Sequence, residues 1–289
     1  MKIRGYYLIS TEHFTDRIWF RDDDDFKTAM NLIAVASFLT SAVVLDFVLM
    51  SNHLHFVLSG TEEQICRFLS KFKRLYSMYL FNYRGTSKML KRNNVDIRPV
   101  YLEDESLKRA IAYVQMNPVA ANICVYPHQY RWGCGDVFFN QHTKEGTPID
   151  SFSKNSREKL LHSRVELPSS FIVTSDNYIS PDSFVAKKLV ENIFKTPKSF
   201  QFFLRQSSKA RNRLEKDPMP SFRDQTINMC ITDLCLTMFK TETIAELNKA
   251  NTAELLKQLQ YRFSSDLAQI SRVTGIPYPE VTKLLEDFR

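Results

Sequence analysis

Two histidines separated by one residue are the first group in this chain whose types and spacing could do chemistry. His53 and His55 flank Leu54 within an apolar, β-branched stretch. If the stretch is a strand, both imidazoles lie on one face, because side chains alternate along a strand. Such a pair could bind one divalent cation. The alternative is two incidental histidines, one of them half-buried in a core.

A tyrosine and an asparagine four residues apart form the second group. Tyr113 and Asn117 share a face of a predicted helix, which Pro118 ends or interrupts because proline disfavours helix at the preceding residue. The Asn117 carbonyl oxygen suits a hard cation, and the Tyr113 phenol could attack a phosphate that a metal polarises. Each also has an ordinary explanation, since Asn-Pro is a common helix stop and Tyr113 could be a core aromatic.

The hydrophobic pattern predicts the elements that would position these residues. Alternating or β-branched runs indicate extended segments, and apolar residues at spacings of three and four indicate helices. The predicted extended segments are 5–10, 17–20, 42–50 and 53–58, and the predicted helices start near 26 and span about 62–83 and 104–116. This order predicts an α+β domain with helices packed on a sheet.

The composition changes beyond residue 140. We predict a first domain over 1–140, a linker over 141–183 that is rich in Ser, Thr, Asn and Pro, and a helical region over 184–289. Residues of about 264–287 have helix-turn-helix spacing, with Gly275 at the turn. The second helix of the motif would expose Tyr278, Thr282 and Lys283 to DNA. An ordinary αα-hairpin is the alternative.

The charge of the chain favours an anionic partner. It has 39 basic and 32 acidic residues, a net charge of +7, and nine of the basic residues lie between 61 and 100 among several tyrosines. Basic and aromatic side chains together suit single-stranded nucleic acid. The predicted contacts are Lys71, Lys73, Arg74, Arg84, Lys88 and Arg92. The alternative is a solvated helix face over core tyrosines.

Cysteine usage and hydropathy bear on location. The five cysteines form no CxxC pair, which indicates reduced thiols in a cytoplasmic protein. No apolar run is long enough for a membrane span, and the first residues lack the apolar core of a secretory signal. We therefore expect a cytoplasmic protein without a membrane partner.

Three blocks of the sequence resemble the REP-associated tyrosine transposases and their insertion-sequence relatives. VLMSNHLHFVLSG is similar to their "MPNHVHLLV" strand, AYVQMNPVAANIC to their "YIHLNPVRAGLV" helix, and PHQYRWGCG to their "P-x-x-Y-x-W-S-S". The blocks occur in the family's order within roughly residues 1–140. The chain departs from the family at Ser51, where relatives have proline, at Gln115, which is often histidine, and at Gly133-Cys134, which replaces the serines.

The resemblance implies a ferredoxin/RRM-like antiparallel sheet with helices, known as the HUH nuclease domain. It further implies that His53, His55 and Asn117 ligate Mg²⁺ or Mn²⁺, and that Tyr113 attacks a phosphodiester of single-stranded DNA near a hairpin. Tyr113 would then be linked to the 5′ phosphate, leaving a 3′ hydroxyl that can reverse the reaction. Relatives include dimers and monomers, so a homodimer is left open.

Competing functions remain at this stage. A domesticated, catalytically idle DNA-binding protein or regulator could keep the same fold. A relaxase or replication-initiation nuclease of the wider HUH group usually has another motif order and lacks the block around Tyr113. An unrelated metal-dependent phosphoesterase is the remaining class.

Overall fold

The computed structural model describes residues 4–11, 18–85, 95–141, 145–208 and 222–288. It has an α+β fold, with a four-stranded antiparallel sheet and helices followed by a mostly helical C-terminal region. The α+β class, the antiparallel sheet and the helical C-terminal region predicted from the sequence are therefore confirmed. No helix among the described residues is long and apolar enough to cross a bilayer.

The sheet is built from four strands and two long helices in the order β-α-β-β-α-β. They are β1 (Gly5–Ser10), α1 (Asp23–Thr40), β2 (Val43–Leu49), β3 (Leu54–Gly60), α2 (Glu62–Arg84) and β4 (Asp96–Val100). The strands lie in the order β2-β3-β1-β4, and each neighbouring pair is antiparallel. This is the split-βαβ arrangement, in which the chain crosses over twice through a helix.

Local sequence signals explain where the two long helices begin. The Asp22 carboxylate accepts a hydrogen bond from the Asp25 backbone N–H, and the acidic first turn of α1 suits the positive end of the helix. The hydroxyl of Thr61 and the amide of Gln64 form a reciprocal capping box at the start of α2. Gly85 ends α2 with a φ of 62°, a conformation that glycine adopts without strain.

The two faces of the sheet have different partners. On one face, the Phe56 ring of β3 packs against Phe68 and Phe72 of α2, with ring centroids 5.3 and 5.8 Å apart. His55, the preceding residue, points to the opposite face. There it meets helix α3 (Ser106–Gln115), which is followed by the short helix α4 (Asn117–Ala120). His55 on β3 therefore faces α3, which carries Tyr113.

Residues 145–208 pack against this α/β core, although part of this range was predicted as a linker over 141–183. They form β5 (Gly146–Pro148), α5 (Lys154–Leu161), β6 (Ile172–Thr174), α6 (Lys187–Phe194) and α7 (Pro197–Gln206). The amide of Asn31 on α1 donates to the Leu160 carbonyl at 3.0 Å and accepts from the Ile179 N–H at 2.7 Å. We call residues 4–208 the N-terminal unit. Contacts from this range thus cover α1, and the division into domains at residues 140 and 183 stays a prediction.

Residues 222–288 form a helical body, which we call the C-terminal unit. Its helices are α8 (Asp224–Leu234), extended by a π-helical turn over Cys235–Phe239, then α9 (Lys249–Phe263), α10 (Leu267–Thr274) and α11 (Tyr278–Asp287). Their buried side chains form a core of their own. Gly275 has a φ of 72° at the turn between α10 and α11, and the Ser271 hydroxyl donates to the Ile276 carbonyl at 2.7 Å. The predicted helix-turn-helix region thus contains two helices joined at Gly275.

Candidate functional site

The two histidines lie where the chain turns from β2 into β3. His53 directly precedes β3, and His55 is its second residue, paired with Val48 of β2. A backbone hydrogen bond of 2.8 Å from the Met50 N–H to the His53 carbonyl closes the turn. The two imidazole centroids are 5.1 Å apart, with ring planes at 78°. His55 is fully buried and His53 is half-buried, so the pair extends from the core towards the surface.

Asn52 sets the orientation of the His53 ring. Its side-chain oxygen Oδ1 lies 2.8 Å from His53 Nδ1. Because an amide oxygen can only accept, Nδ1 carries the hydrogen in this contact, and Nε2 is the ring nitrogen that would bind a metal when the imidazole is uncharged. A partner on the second ring nitrogen is a common way to fix the tautomer of a metal-binding histidine.

Tyr113 lies beside the same histidines. Its ring centroid is 5.3 Å from that of His55, and the ring planes are nearly perpendicular at 85°. The buried residues Ile111 and Val114 anchor α3 in the core on either side of it. The Tyr113 ring itself is only partly buried. The structure thus brings together three predicted site residues from two distant segments of the chain.

Asn117 lies one helical turn after Tyr113 and is buried, with 3% of its surface exposed. Its amide nitrogen donates to the Tyr113 carbonyl at 2.8 Å and to the Val114 carbonyl at 3.4 Å. Pro118 has no N–H to give to Val114, so the Asn117 side chain supplies a substitute where the helix breaks. The nitrogen thus serves the helix stop, and the side-chain oxygen is the group that suits a cation.

The donor types of His53, His55 and Asn117 would suit a divalent cation. Two imidazoles and one amide oxygen would give three protein ligands and leave positions for substrate and water. Within the described ranges, no three His, Cys, Asp or Glu side chains cluster as a metal site. Any metal bound here would therefore need Asn117 or a further group.

A buried aspartate beneath the tyrosine helix is a residue that the sequence analysis missed. Asp46 is fully buried on β2, on the same sheet face as His55, next to a register shift between Val44 and Asp46. Its Oδ1 accepts from Gln115 Nε2 at 2.7 Å and from the Cys134 thiol at 2.8 Å. The signal was a lone acidic residue within the apolar run AVVLDFVLM, since a buried carboxyl group must find partners. Asp46 ties Gln115, and with it α3, to the sheet.

The Asp46 contact predicts an unusual pH dependence of stability. Burial raises the pKa of Asp46 from 3.8 to about 8. Between those values the unfolded chain loses the Asp46 proton while the folded chain keeps it. The contribution to stability is therefore full below about pH 4 and falls as the pH rises towards 8, by up to about 1.4 kcal/mol per pH unit. Asparagine has no proton to lose, so Asp46→Asn should become more stable relative to the wild type as the pH rises.

Urea unfolding at pH 5.5 and 7.5 measures this effect. Asp46→Asn keeps an acceptor oxygen for Gln115 and Cys134, so the variant should fold. The same substitution at the exposed Asp150 is the matched control and should shift both curves equally. A constant difference in the free energy of unfolding between Asp46→Asn and the wild type at the two pH values would contradict the assignment.

Only part of the predicted basic surface on α2 is open to solvent. Arg74 is exposed, and Lys71 and Lys73 are partly exposed. Arg84 instead forms ion pairs with Asp25, at 2.9 Å, and with Asp22, at 2.5 Å. Its guanidinium therefore holds the end of α2 against the start of α1. Tyr76 and Tyr79 are buried core residues, while Tyr83 is 61% exposed, and Lys88 and Arg92 lie outside the described residues.

Helix α11 carries the three residues predicted to contact DNA, and two of them are exposed. Tyr278 and Lys283 are exposed, whereas the Thr282 hydroxyl donates to the Tyr278 carbonyl at 3.1 Å. Residues 222–288 contain seven basic and nine acidic residues, a net charge of −2. The positive charge of the chain therefore lies outside the C-terminal unit, and long-range attraction to phosphate has to come from the rest of the molecule.

Comparison with known proteins adds little to the geometry. No protein-family model and no curated protein sequence matches the chain. Among solved structures, a REP-associated tyrosine transposase bound to a REP hairpin aligns with a TM-score of 0.33 and 9% identity. The alignment covers 46% of this chain and 79% of that one. A similarity this remote does not support a functional assignment, so any assignment has to rest on the residues themselves.

Proposed function

We propose that this chain is a single-tyrosine HUH transposase, a metal-dependent endonuclease and strand transferase for single-stranded DNA. The observation that carries the proposal is the 5.3 Å ring contact between His55 and Tyr113. It joins a histidine pair suited to a cation with a tyrosine that carries a nucleophilic oxygen. These residues come from segments about 60 positions apart, so sequence proximity does not explain their contact.

Tyr113 is the nucleophile of the proposed reaction. Its Oη loses its proton to solvent and attacks the phosphorus of a phosphodiester. A bond forms between Oη and phosphorus, the bond from phosphorus to the 3′ oxygen breaks, and that oxygen leaves as a hydroxyl after taking up a proton. The DNA strand is then attached to Tyr113 through its 5′ phosphate, and a 3′ hydroxyl can reverse the reaction without ATP.

The proposed ligands for Mg²⁺ or Mn²⁺ are His53 Nε2, an imidazole nitrogen of His55 and Asn117 Oδ1. A cation held there would neutralise charge on the scissile phosphate, which would let a phenol act as the nucleophile. Asn52 orients His53, and the Asp46–Gln115 bond holds α3 at the sheet. Because two of the three ligands are nitrogens, we expect Mn²⁺ to support cleavage at lower concentrations than Mg²⁺, which prefers oxygen ligands.

The substrate side of the proposal is single-stranded DNA that carries a hairpin. Lys71, Lys73 and Arg74 on α2 would contact phosphates, together with Lys88 and Arg92 in the adjacent segment. Tyr278 and Lys283 of α11 would contact a duplex stem. Since the C-terminal unit is acidic overall, we expect the α2 contacts to contribute most of the salt-dependent affinity.

Cleavage of a DNA pool tests the proposal. The pool consists of labelled single strands with a fixed hairpin and a randomised flank, incubated with the full chain and Mn²⁺. We expect cleaved strands whose 3′ ends share a short sequence, and no cleavage with EDTA. Binding without cleavage at any Mn²⁺ concentration would contradict the enzyme and favour the idle DNA-binding regulator.

A further inference from the structure

The C-terminal unit contacts the histidine turn through a buried carboxylate. Asp224 opens α8, and only 1% of its side chain is exposed. Its oxygens accept from Arg272 Nε at 2.7 Å and Nη2 at 3.1 Å, and from Gln269 Nε2 at 2.9 Å. The fourth donor is the Ser51 hydroxyl, at 2.6 Å. Three donors thus come from the C-terminal unit itself, and one comes from the N-terminal unit.

Ser51 lies in the turn that leads to His53. Its backbone carbonyl accepts from the Trp19 N–H at 2.7 Å and from the Phe20 N–H at 3.1 Å. Gln225, next to Asp224, donates to the Phe20 carbonyl. The first turn of α8 therefore contacts Ser51 and also Phe20, which is bound to Ser51. Ser51 lies two residues before His53, a proposed metal ligand.

Arg272 and Ser51, on the two sides of Asp224, differ in how much they contribute to the stability of the buried carboxylate. A buried carboxylate is stable only with charged and hydrogen-bonding partners, and the two-point contact with Arg272 provides the charge. Loss of Arg272 would leave that carboxylate without a cation and would threaten folding. Loss of the Ser51 hydroxyl leaves three hydrogen bonds to Asp224 in place. It removes only the link between the carboxylate and the histidine turn.

We infer that Asp224 is a positioning residue for the proposed metal site, acting through Ser51 on the turn that carries His53. The inference rests on the proposed function, because it assumes that His53 binds the cation. The C-terminal unit then has a second role beside any DNA contact, since its helices α8 and α10 set the geometry of the site. Sequence position alone would not suggest this, because Ser51 and Asp224 are 173 residues apart.

Mn²⁺ binding to the full chain tests the inference in the absence of DNA. Ser51→Ala should weaken Mn²⁺ binding about tenfold by calorimetric titration, the effect of losing one hydrogen bond to a charged group. Its melting temperature should fall by no more than about 5 °C, because the partners of Asp224 inside the C-terminal unit persist. Ser51→Thr restores a hydroxyl and should recover most of the affinity.

Ser37→Ala is the matched control. Its hydroxyl donates to the Ala42 carbonyl at 2.8 Å. This contact lies at the C-terminal end of α1, so Mn²⁺ affinity should not change. Wild-type Mn²⁺ affinity in Ser51→Ala would refute the positioning role and leave the proposed function standing. Absence of Mn²⁺ binding by the wild-type chain would refute the metal site, and the inference with it.

Discussion

Tyr113→Phe is expected to reduce single-strand cleavage by about a thousandfold or more, to the background rate. The substitution removes the one oxygen that would attack the phosphate, and no other group of the site can form the same covalent bond. It keeps the ring that packs edge-on against His55, so folding and DNA binding should stay close to the wild type. Single-turnover cleavage of a selected oligonucleotide measures the loss.

The structure distinguishes Tyr113 from three buried tyrosines of the chain. The hydroxyls of Tyr76, Tyr79 and Tyr130 bind the Trp19 carbonyl, the Asp25 carboxylate and the Leu49 carbonyl. Burial raises the pKa of Tyr76, Tyr79 and Tyr130 well above the usual value, which makes an attacking phenoxide costly. Tyr113 is set apart by its position beside a buried histidine and one turn before Asn117.

Tyr101→Phe is the matched control for this prediction. Tyr101 is 53% exposed near the start of α3, and the same oxygen is removed there. We expect wild-type cleavage from this variant. Cleavage retained by Tyr113→Phe, or lost equally in both variants, would rule out Tyr113 as the nucleophile.

His53→Ala is expected to lower cleavage by about a hundredfold or more while leaving most of the DNA affinity. The substitution removes a proposed ligand that Asn52 orients, so the cation is held less tightly. DNA affinity should persist because contacts between basic side chains and phosphates dominate it. Cleavage rates across a range of Mn²⁺ concentrations, with DNA binding measured in parallel, give both quantities.

The dependence of residual cleavage on Mn²⁺ concentration distinguishes a metal ligand from a structural residue. If His53 binds the cation, a high Mn²⁺ concentration should restore part of the activity of His53→Ala. His128→Ala is the control, because His128 is exposed and stacks on Tyr126 outside the site. A variant that loses cleavage equally at all Mn²⁺ concentrations, or a wild type that cleaves in EDTA, would contradict the role given to His53.

Local spacing was enough to predict several elements of the sheet domain and the neighbouring residues within each motif. The strand over 5–10 and the helix predicted over 62–83 lie where the structure has β1 and α2. The two-residue spacing of His53 and His55, and the four-residue spacing of Tyr113 and Asn117, predicted neighbours because strands and helices have fixed periods. Spacing could not show that the two pairs come together, for which the resemblance between motifs was needed.

Contacts between distant segments were beyond sequence reasoning. Asp46 beneath α3, Arg84 at the acidic start of α1, and Asp224 at Ser51 each pair side chains that lie far apart in the chain. Their partners depend on how elements pack, and neither charge nor periodicity specifies that. Arg84 is instructive, because a basic residue on a basic helix suggested a DNA contact, while folding placed it between two carboxylates.

Isolation of a covalent protein–DNA adduct tests the central claim most directly. The wild-type chain is incubated with Mn²⁺ and a cleavable oligonucleotide labelled at its 3′ end, then denatured and digested for peptide mapping. The label should stay with the protein under denaturing conditions, attached to the peptide that contains Tyr113 through a 5′ phosphate. Cleavage without any adduct, or an adduct on a different tyrosine, would contradict the account.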